Sequence, residues 1–85
     1  MIRVTLYGRS ECHLCHRMRA VVDGVVRAPG FAARVLVEEI DVDDDPRLAA
    51  AYGAEVPVLC VNGAKAFKYR VDAAALRARL EREPD

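Results

Sequence analysis

This 85-residue chain has no excess of either charge: 13 basic residues stand against 13 acidic ones, for a formal net charge of zero. That balance leaves no basic surplus to condense on nucleic acid or on an anionic membrane. The charges read as solvated helix and strand faces. No apolar run approaches the ~18–20 residues needed to cross a bilayer. Met1-Ile2-Arg3-Val4-Thr5-Leu6-Tyr7 is too short for the apolar region of a signal peptide and looks like a strand. Internal repeats, low-complexity tracts and linkers are lacking. A cytoplasmic location is therefore expected. Only three cysteines occur, and a reducing compartment disfavours permanent structural disulfides. A close cysteine pair there points to catalysis or metal binding.

What remains is globular. Hydrophobic residues make up 53% and charged residues 31%, which separates the chain from disordered sequences. Its length allows one compact core, so residues 1–85 are read as a single domain.

Arg3–Tyr7 alternates, with Val4 and Leu6 on one face, and reads as a strand. Gly8-Arg9-Ser10-Glu11 interrupts it. From Cys12 to about Arg27, the residues Leu14, Met18, Val21, Val22, Val25 and Val26 recur at helical spacing, and Pro29-Gly30 ends the element. Arg34–Val42 reads as a second strand. Asp43-Asp44-Asp45-Pro46 is a helix start, an Asp cap with Pro at the first helical position. The short helix Arg47–Tyr52 is expected to end at Gly53 in a left-handed cap. Val56–Val61 is a third strand, Asn62-Gly63 a two-residue hairpin turn, and Lys65–Val71 a fourth strand alternating Phe67, Tyr69 and Val71 against Ala66, Lys68 and Arg70. Asp72 caps a last helix, Ala73–Arg82, that buries Leu76 and Leu80. The order β-α-β-α-β-β-α predicts an α/β fold. Its four-stranded mixed sheet has helices on both faces and opens with a right-handed parallel crossover.

Cys12-His13-Leu14-Cys15 lies where the first strand gives way to the first helix. Unpaired N–H groups and the positive end of the helix dipole gather there. Both favour a thiolate, so the pKa of Cys12 is expected below its ordinary value of about 8.5. Cys15 is one turn further in, on the same side, with weaker dipole assistance and more burial. The asymmetry makes Cys12 the attacking sulfur and Cys15 the resolving one. His13, His16 and Arg9 are near enough to favour the Cys12 thiolate by charge or proton donation; the alternative for each is an ordinary surface residue. Val56-Pro57 opens the third strand, where Pro is permitted. Because X-Pro bonds are cis in only about 5–6% of cases, trans is the default. A cis bond would turn the Val56 backbone toward the cysteines, where it can pair with an extended substrate. Cys60 reads as a small core hydrophobe, with a regulatory or second-disulfide role as the alternative.

Four segments together resemble the glutaredoxin-like branch of the thioredoxin superfamily. They are Leu6-Tyr7-Gly8-Arg9-Ser10-Glu11-Cys12-His13-Leu14-Cys15, Glu39-Ile40-Asp41-Val42-Asp43-Asp44-Asp45-Pro46, Tyr52-Gly53-Ala54-Glu55-Val56-Pro57-Val58-Leu59, and Asn62-Gly63. The likeness covers about residues 3–82 and is closest to a small prokaryotic set whose substrate is poorly defined. It implies the thioredoxin fold, with Cys12 as nucleophile and Cys15 as resolving cysteine. It also implies a cis Pro57, with backbone contacts to the thiol partner from Val56. Arg9 matches a basic residue that often helps hold the glycine carboxylate of glutathione. The middle of the motif is His-Leu where typical glutaredoxins have Pro-Tyr. Their Gly-Gly after the fourth strand is replaced by Lys68-Tyr69-Arg70-Val71-Asp72. Asp72 can take the acidic role that follows, or serve only as a helix cap. The tryptophan that precedes the motif in thioredoxins is missing.

The expected function is thiol–disulfide exchange on protein or small-molecule disulfides. Glutathione or a thioredoxin-type reductase would supply electrons, no cofactor would be bound, and the protein would be a monomer. Glutathione contacts fall to Arg9, His13, Val56, Pro57 and Asp72. The alternative is a metal- or iron–sulfur-binding carrier, in which the two cysteines supply part of a shell to which His13 or His16 adds.

Overall fold

β1 (Ile2–Gly8) alternates as its sequence predicts, burying Ile2, Val4, Leu6 and Gly8. The structure, a computed structural model, describes residues 1–84; of the single domain expected over residues 1–85, Asp85 lies outside the described residues. After β1 come α1 (His13–Val26), β2 (Val35–Asp41), a short 3-10 turn (Val42–Asp44) and α2 (Pro46–Tyr52). β3 (Val58–Val61), β4 (Ala64–Lys68) and α3 (Ala73–Glu81) complete the chain. The sheet order is β2-β1-β3-β4. β1 pairs parallel with β2, from Ile2↔Val35 to Gly8↔Asp41. It pairs antiparallel with β3, from Val4↔Val61 to Tyr7↔Val58. This is the α/β arrangement expected, a four-stranded mixed sheet of the thioredoxin type.

One face of the sheet carries the main core. Ile2, Val4, Leu6, Leu59 and Val61 meet Met18, Val22 and Val25 of α1 and Leu76 and Leu80 of α3. Each of these side chains contributes about 1.5–3 kcal/mol by leaving water. Phe31, in the turns after α1, is 5% exposed and belongs to the same cluster; no periodicity marks it, because it lies in no regular element. On the opposite face Tyr52 of α2 stacks on Tyr7, with ring centroids 4.3 Å apart. Helices thus cover both faces. No helix among the described residues is long and apolar enough to cross a membrane.

Local signals account for most boundaries. Asp45 caps α2 by accepting from the Arg47 N–H, with Pro46 at the first position. Asp72 Oδ1 accepts from the Ala75 N–H at 2.8 Å to start α3. Asn62 and Gly63 have φ of 50° and 85°, the double positive φ that a tight hairpin of this kind requires.

Several expectations need correction, whereas the cis Pro57 that the resemblance implied is present. Cys12 and Arg27 are the caps of α1 rather than members of it. β3 begins at Val58, after the Val56–Pro57 peptide. That peptide is cis, against the default for its sequence. β4 stops at Lys68 rather than Val71, because Tyr69 has φ 67° and cannot continue a strand. A register shift against β3 also breaks the expected alternation: Phe67 faces Leu59, but Lys65 faces Cys60. Finally, Gly53 is right-handed, with φ −55° and ψ −34°, so its glycine serves something other than a left-handed cap.

Candidate functional site

Cys12 is the N-cap of α1, with extended backbone (φ −141°, ψ 104°) and its carbonyl accepting the first helical bond from His16 N–H at 3.1 Å. A cap side chain normally takes an orphan N–H of the first turn. Here the cap is a sulfur: Cys12 Sγ accepts from the Cys15 N–H at 3.2 Å. The same two residues are joined as a disulfide, with Cα atoms 5.2 Å apart. The first turn of α1 contains no carboxylate, so nothing within it opposes negative charge on that sulfur. Burial is unequal: Cys12 is half-buried, whereas Cys15 is fully enclosed. One sulfur can meet a partner and the other waits behind it.

The end of β1 supports the inner sulfur. Gly8 is buried, and a Cβ there would lie 2.9 Å from Cys15 Sγ and 3.2 Å from Cys15 Cβ. The chain must therefore be bare at Gly8 for Cys15 to pack, a requirement not recognised from the sequence, which suggested a loop at Gly8 where β1 in fact ends. Tyr7 pairs with Val58 across the sheet. The antiparallel register consequently brings Pro57, whose peptide bond with Val56 is cis, alongside Gly8, the strand end that packs on Cys15. Val56 itself lies outside the ladder.

Two polar braces hold these segments. Arg9 Nε donates to Asp43 Oδ2 at 3.0 Å, and Arg9 Nη1 donates to the Gly53 carbonyl at 2.7 Å. The guanidinium lies so close to the chain that a Cβ on Gly53 would come within 2.9 Å of Arg9 Nη2, and closer still to the Ala49 carbonyl oxygen. The backbone oxygen, which cannot move aside as a side-chain end can, accounts for the glycine, and the guanidinium adds to the crowding. The second brace is Glu55, which accepts from Lys65 Nζ at 2.6 Å and Lys68 Nζ at 3.2 Å. These lysines, Lys65 first, hold the Glu55 carboxyl below its ordinary range. The segment before Pro57 is thereby tied to β4. Tyr69 adds a third tie, donating its N–H to the Pro57 carbonyl at 2.7 Å.

The remaining expected residues are dispersed. His13 and His16 are exposed and line a shallow depression with Ser10, Glu11 and Cys12. Asp72 is an exposed helix cap beside Arg70 and Ala75. Cys60 is 2% exposed and belongs to the α2 face, where its neighbours are Tyr52 and Lys65. Burial pushes its thiol up, against the opposing effects of a Tyr52 hydrogen bond and the Lys65 charge. Among the described residues no three His, Cys, Asp or Glu side chains converge as a metal site.

A family model described as "Glutaredoxin-like domain (DUF836)" matches residues 3–81. No curated protein matches the chain. Among solved structures, the structural-genomics target protein XcR50 from X. campestris is 34% identical, over 95% of this chain and 99% of that one, with a TM-score of 0.74. Protein Ne2328 from Nitrosomonas europaea is 28% identical over 92% of this chain and 89% of its own, also at 0.74. Chloroplastic thioredoxin z is only 18% identical, over 95% and 76% of the two chains; its TM-score of 0.76 speaks for the fold alone. With a capping cysteine bonded to an enclosed one on a thioredoxin-type sheet, and a family match spanning nearly every element, the chain belongs to the glutaredoxin-like domain family.

Proposed function

We propose that this protein is a thiol–disulfide oxidoreductase that reduces or exchanges disulfides of protein or small-molecule partners, working as a monomer in the cytoplasm. The observation that carries the reading is the helix cap. The outer sulfur, Cys12, receives an N–H from the first turn, and its enclosed partner Cys15 is already within bonding reach.

In the reduced protein the Cys15 N–H and the open end of α1 favour negative charge on Cys12. Cys12 thiolate attacks one sulfur of a client disulfide. The client S–S bond breaks, its leaving thiolate takes a proton from solvent, and a mixed disulfide joins Cys12 to the client. Cys15 then loses its proton and attacks Cys12 Sγ. The second client thiol leaves, and Cys12–Cys15 is oxidised. The client has gained two electrons and two protons. Two molecules of glutathione, or a thioredoxin-type reductase, return the two electrons to the pair. The Val56 backbone, left outside the ladder, pairs with the extended client. If glutathione is the donor, Arg9, His13 and Asp72 are the side chains that take its charged ends. No bound cofactor takes part.

Cys15→Ser tests the scheme. It keeps the attacking sulfur and removes the resolving one, so a mixed disulfide should accumulate and be visible by intact mass. Cys12→Ser should abolish both trapping and turnover. Turnover that survives Cys12→Ser, or reduced protein that cannot reform the Cys12–Cys15 bond, refutes the proposal.

A further inference from the structure

Beside the cysteine pair runs a groove between α1 and the turn that follows β4. Its floor is apolar, formed by Leu14 and Val21 of α1 and by Val71. Its rim carries Arg17, Tyr69 and Arg70. Leu14 belongs to the cysteine motif and the Tyr69 N–H is bound to the Pro57 carbonyl, so the groove borders the cysteine site, although Cys12 itself lies in the neighbouring depression with His13 and His16. From Leu14 to Val21 the helix rises about 10 Å, the length of roughly three extended residues.

The two rim cations have no carboxylate partner, a condition they share among the described residues with Arg27, Arg77 and Arg82, none of which lines the groove. Arg3, Arg9, Arg19, Arg47 and Arg79 all have carboxylate partners. Among the described residues neither Arg17 nor Arg70 forms an ion pair or side-chain hydrogen bond, and both are exposed. Tyr69 also stays 43% exposed, one of three large hydrophobics left in water. The chain as a whole is neutral, so this pair of cations is a local feature and not the consequence of a basic protein.

We infer that the groove between α1 and the Tyr69 turn is the docking surface for an acidic, partly apolar segment of a protein disulfide client, flanking the cysteine that reacts with Cys12. An apolar side chain of that segment covers Leu14, Val21 and Val71, and its carboxylates face Arg17 and Arg70. Opposite charge at the rim raises the encounter rate and disfavours basic partners. The inference rests on the proposed disulfide chemistry and names the class of partner that this chemistry serves.

The test uses two ten-residue peptides, each closed by an intramolecular disulfide. They are identical except that the residues flanking one cysteine are Glu-Leu-Glu in one and Lys-Leu-Lys in the other. Reduction by the dithiol protein is followed at low and at physiological salt, with hydroxyethyl disulfide as a small neutral reference. The acidic peptide should react about tenfold faster at low salt, and the preference should shrink as salt rises. The double variant Arg17→Glu/Arg70→Glu should lose or invert that preference while still reducing the neutral disulfide. Arg27→Glu/Arg82→Glu makes the same change in net charge away from the groove and should keep it. If the neutral disulfide is reduced but the two peptides react alike, the docking inference is wrong and the redox reading stands. A preference unchanged in Arg17→Glu/Arg70→Glu, or lost equally in Arg27→Glu/Arg82→Glu, also overturns it. Failure to reduce any of the three disulfides removes the redox reading and the inference with it.

Discussion

Replacing Arg9 by Met separates a structural role from a ligand-binding one. Met keeps most of the stem's packing and removes the guanidinium. In the folded protein that group donates to the Gly53 carbonyl at 2.7 Å and to Asp43 at 3.0 Å. A hydrogen bond from a charged donor contributes about 1.5–3 kcal/mol. The Arg9 side chain is 38% exposed, so the low end, about 1.5 kcal/mol, applies. The pair with Asp43, itself 58% exposed, adds only about 0.5 kcal/mol after solvent screening. The loss should therefore be about 2 kcal/mol. In a domain of this size each kcal/mol moves the midpoint by roughly 4–8 °C, so Arg9→Met should melt about 8–16 °C lower. Thermal melts followed by circular dichroism, with oxidised protein on both sides of the comparison, measure this directly. Raising the salt should erase only the smaller share of the difference. A melting point within 2 °C of the parent would refute the brace and return Arg9 to the pool of residues free to hold a carboxylate.

Two other perturbations test the surroundings of the cysteines. Gly8→Ala forces a methyl to 2.9 Å from Cys15 Sγ; overpacking of this kind costs about 1–3 kcal/mol. Since about 30 mV corresponds to 1.4 kcal/mol for a two-electron couple, strain falling on one redox state moves the potential by roughly 20–60 mV. Redox titration against glutathione, with melts of both states, should show lower stability and a displaced potential; neither changing would mean Cys15 repacks freely. Cys60, whose thiol burial pushes up, should contribute stability that is intact below the ordinary thiol range of about 8.5. That contribution should decline as the pH rises through the folded value, because the unfolded chain then releases the proton first. In denaturant titrations from pH 8 to 10 the decline should be shallower in Cys60→Ala. An identical slope would show that Cys60 ionises without cost.

The features legible in the sequence are those set by a residue's own backbone preferences or by neighbours a turn away. Asp45-Pro46 and Asp72 start their helices because a side-chain oxygen reaches an N–H two or three residues on. Asn62-Gly63 turns because both residues tolerate positive φ. The alternation of β1 and the 3,4,3 spacing of Cys15, Met18, Val22 and Val25 declare which faces are buried. The Cys12–Cys15 pair belongs with these, since its spacing on one helical turn is local. Tertiary structure decided the rest, because the groups concerned meet only after the chain has doubled back. Arg9 finds partners 34 and 44 residues away. The glycine at position 53 is accounted for first by the Ala49 carbonyl oxygen, a local contact, and only secondarily by that arginine. Tyr69 leaves the strand where its N–H meets the Pro57 carbonyl. Gly8 is bare because the inner sulfur of a different element needs the space. Short-range propensity contains no record of such contacts, which exist only once β1 has met α1, β2 and β3.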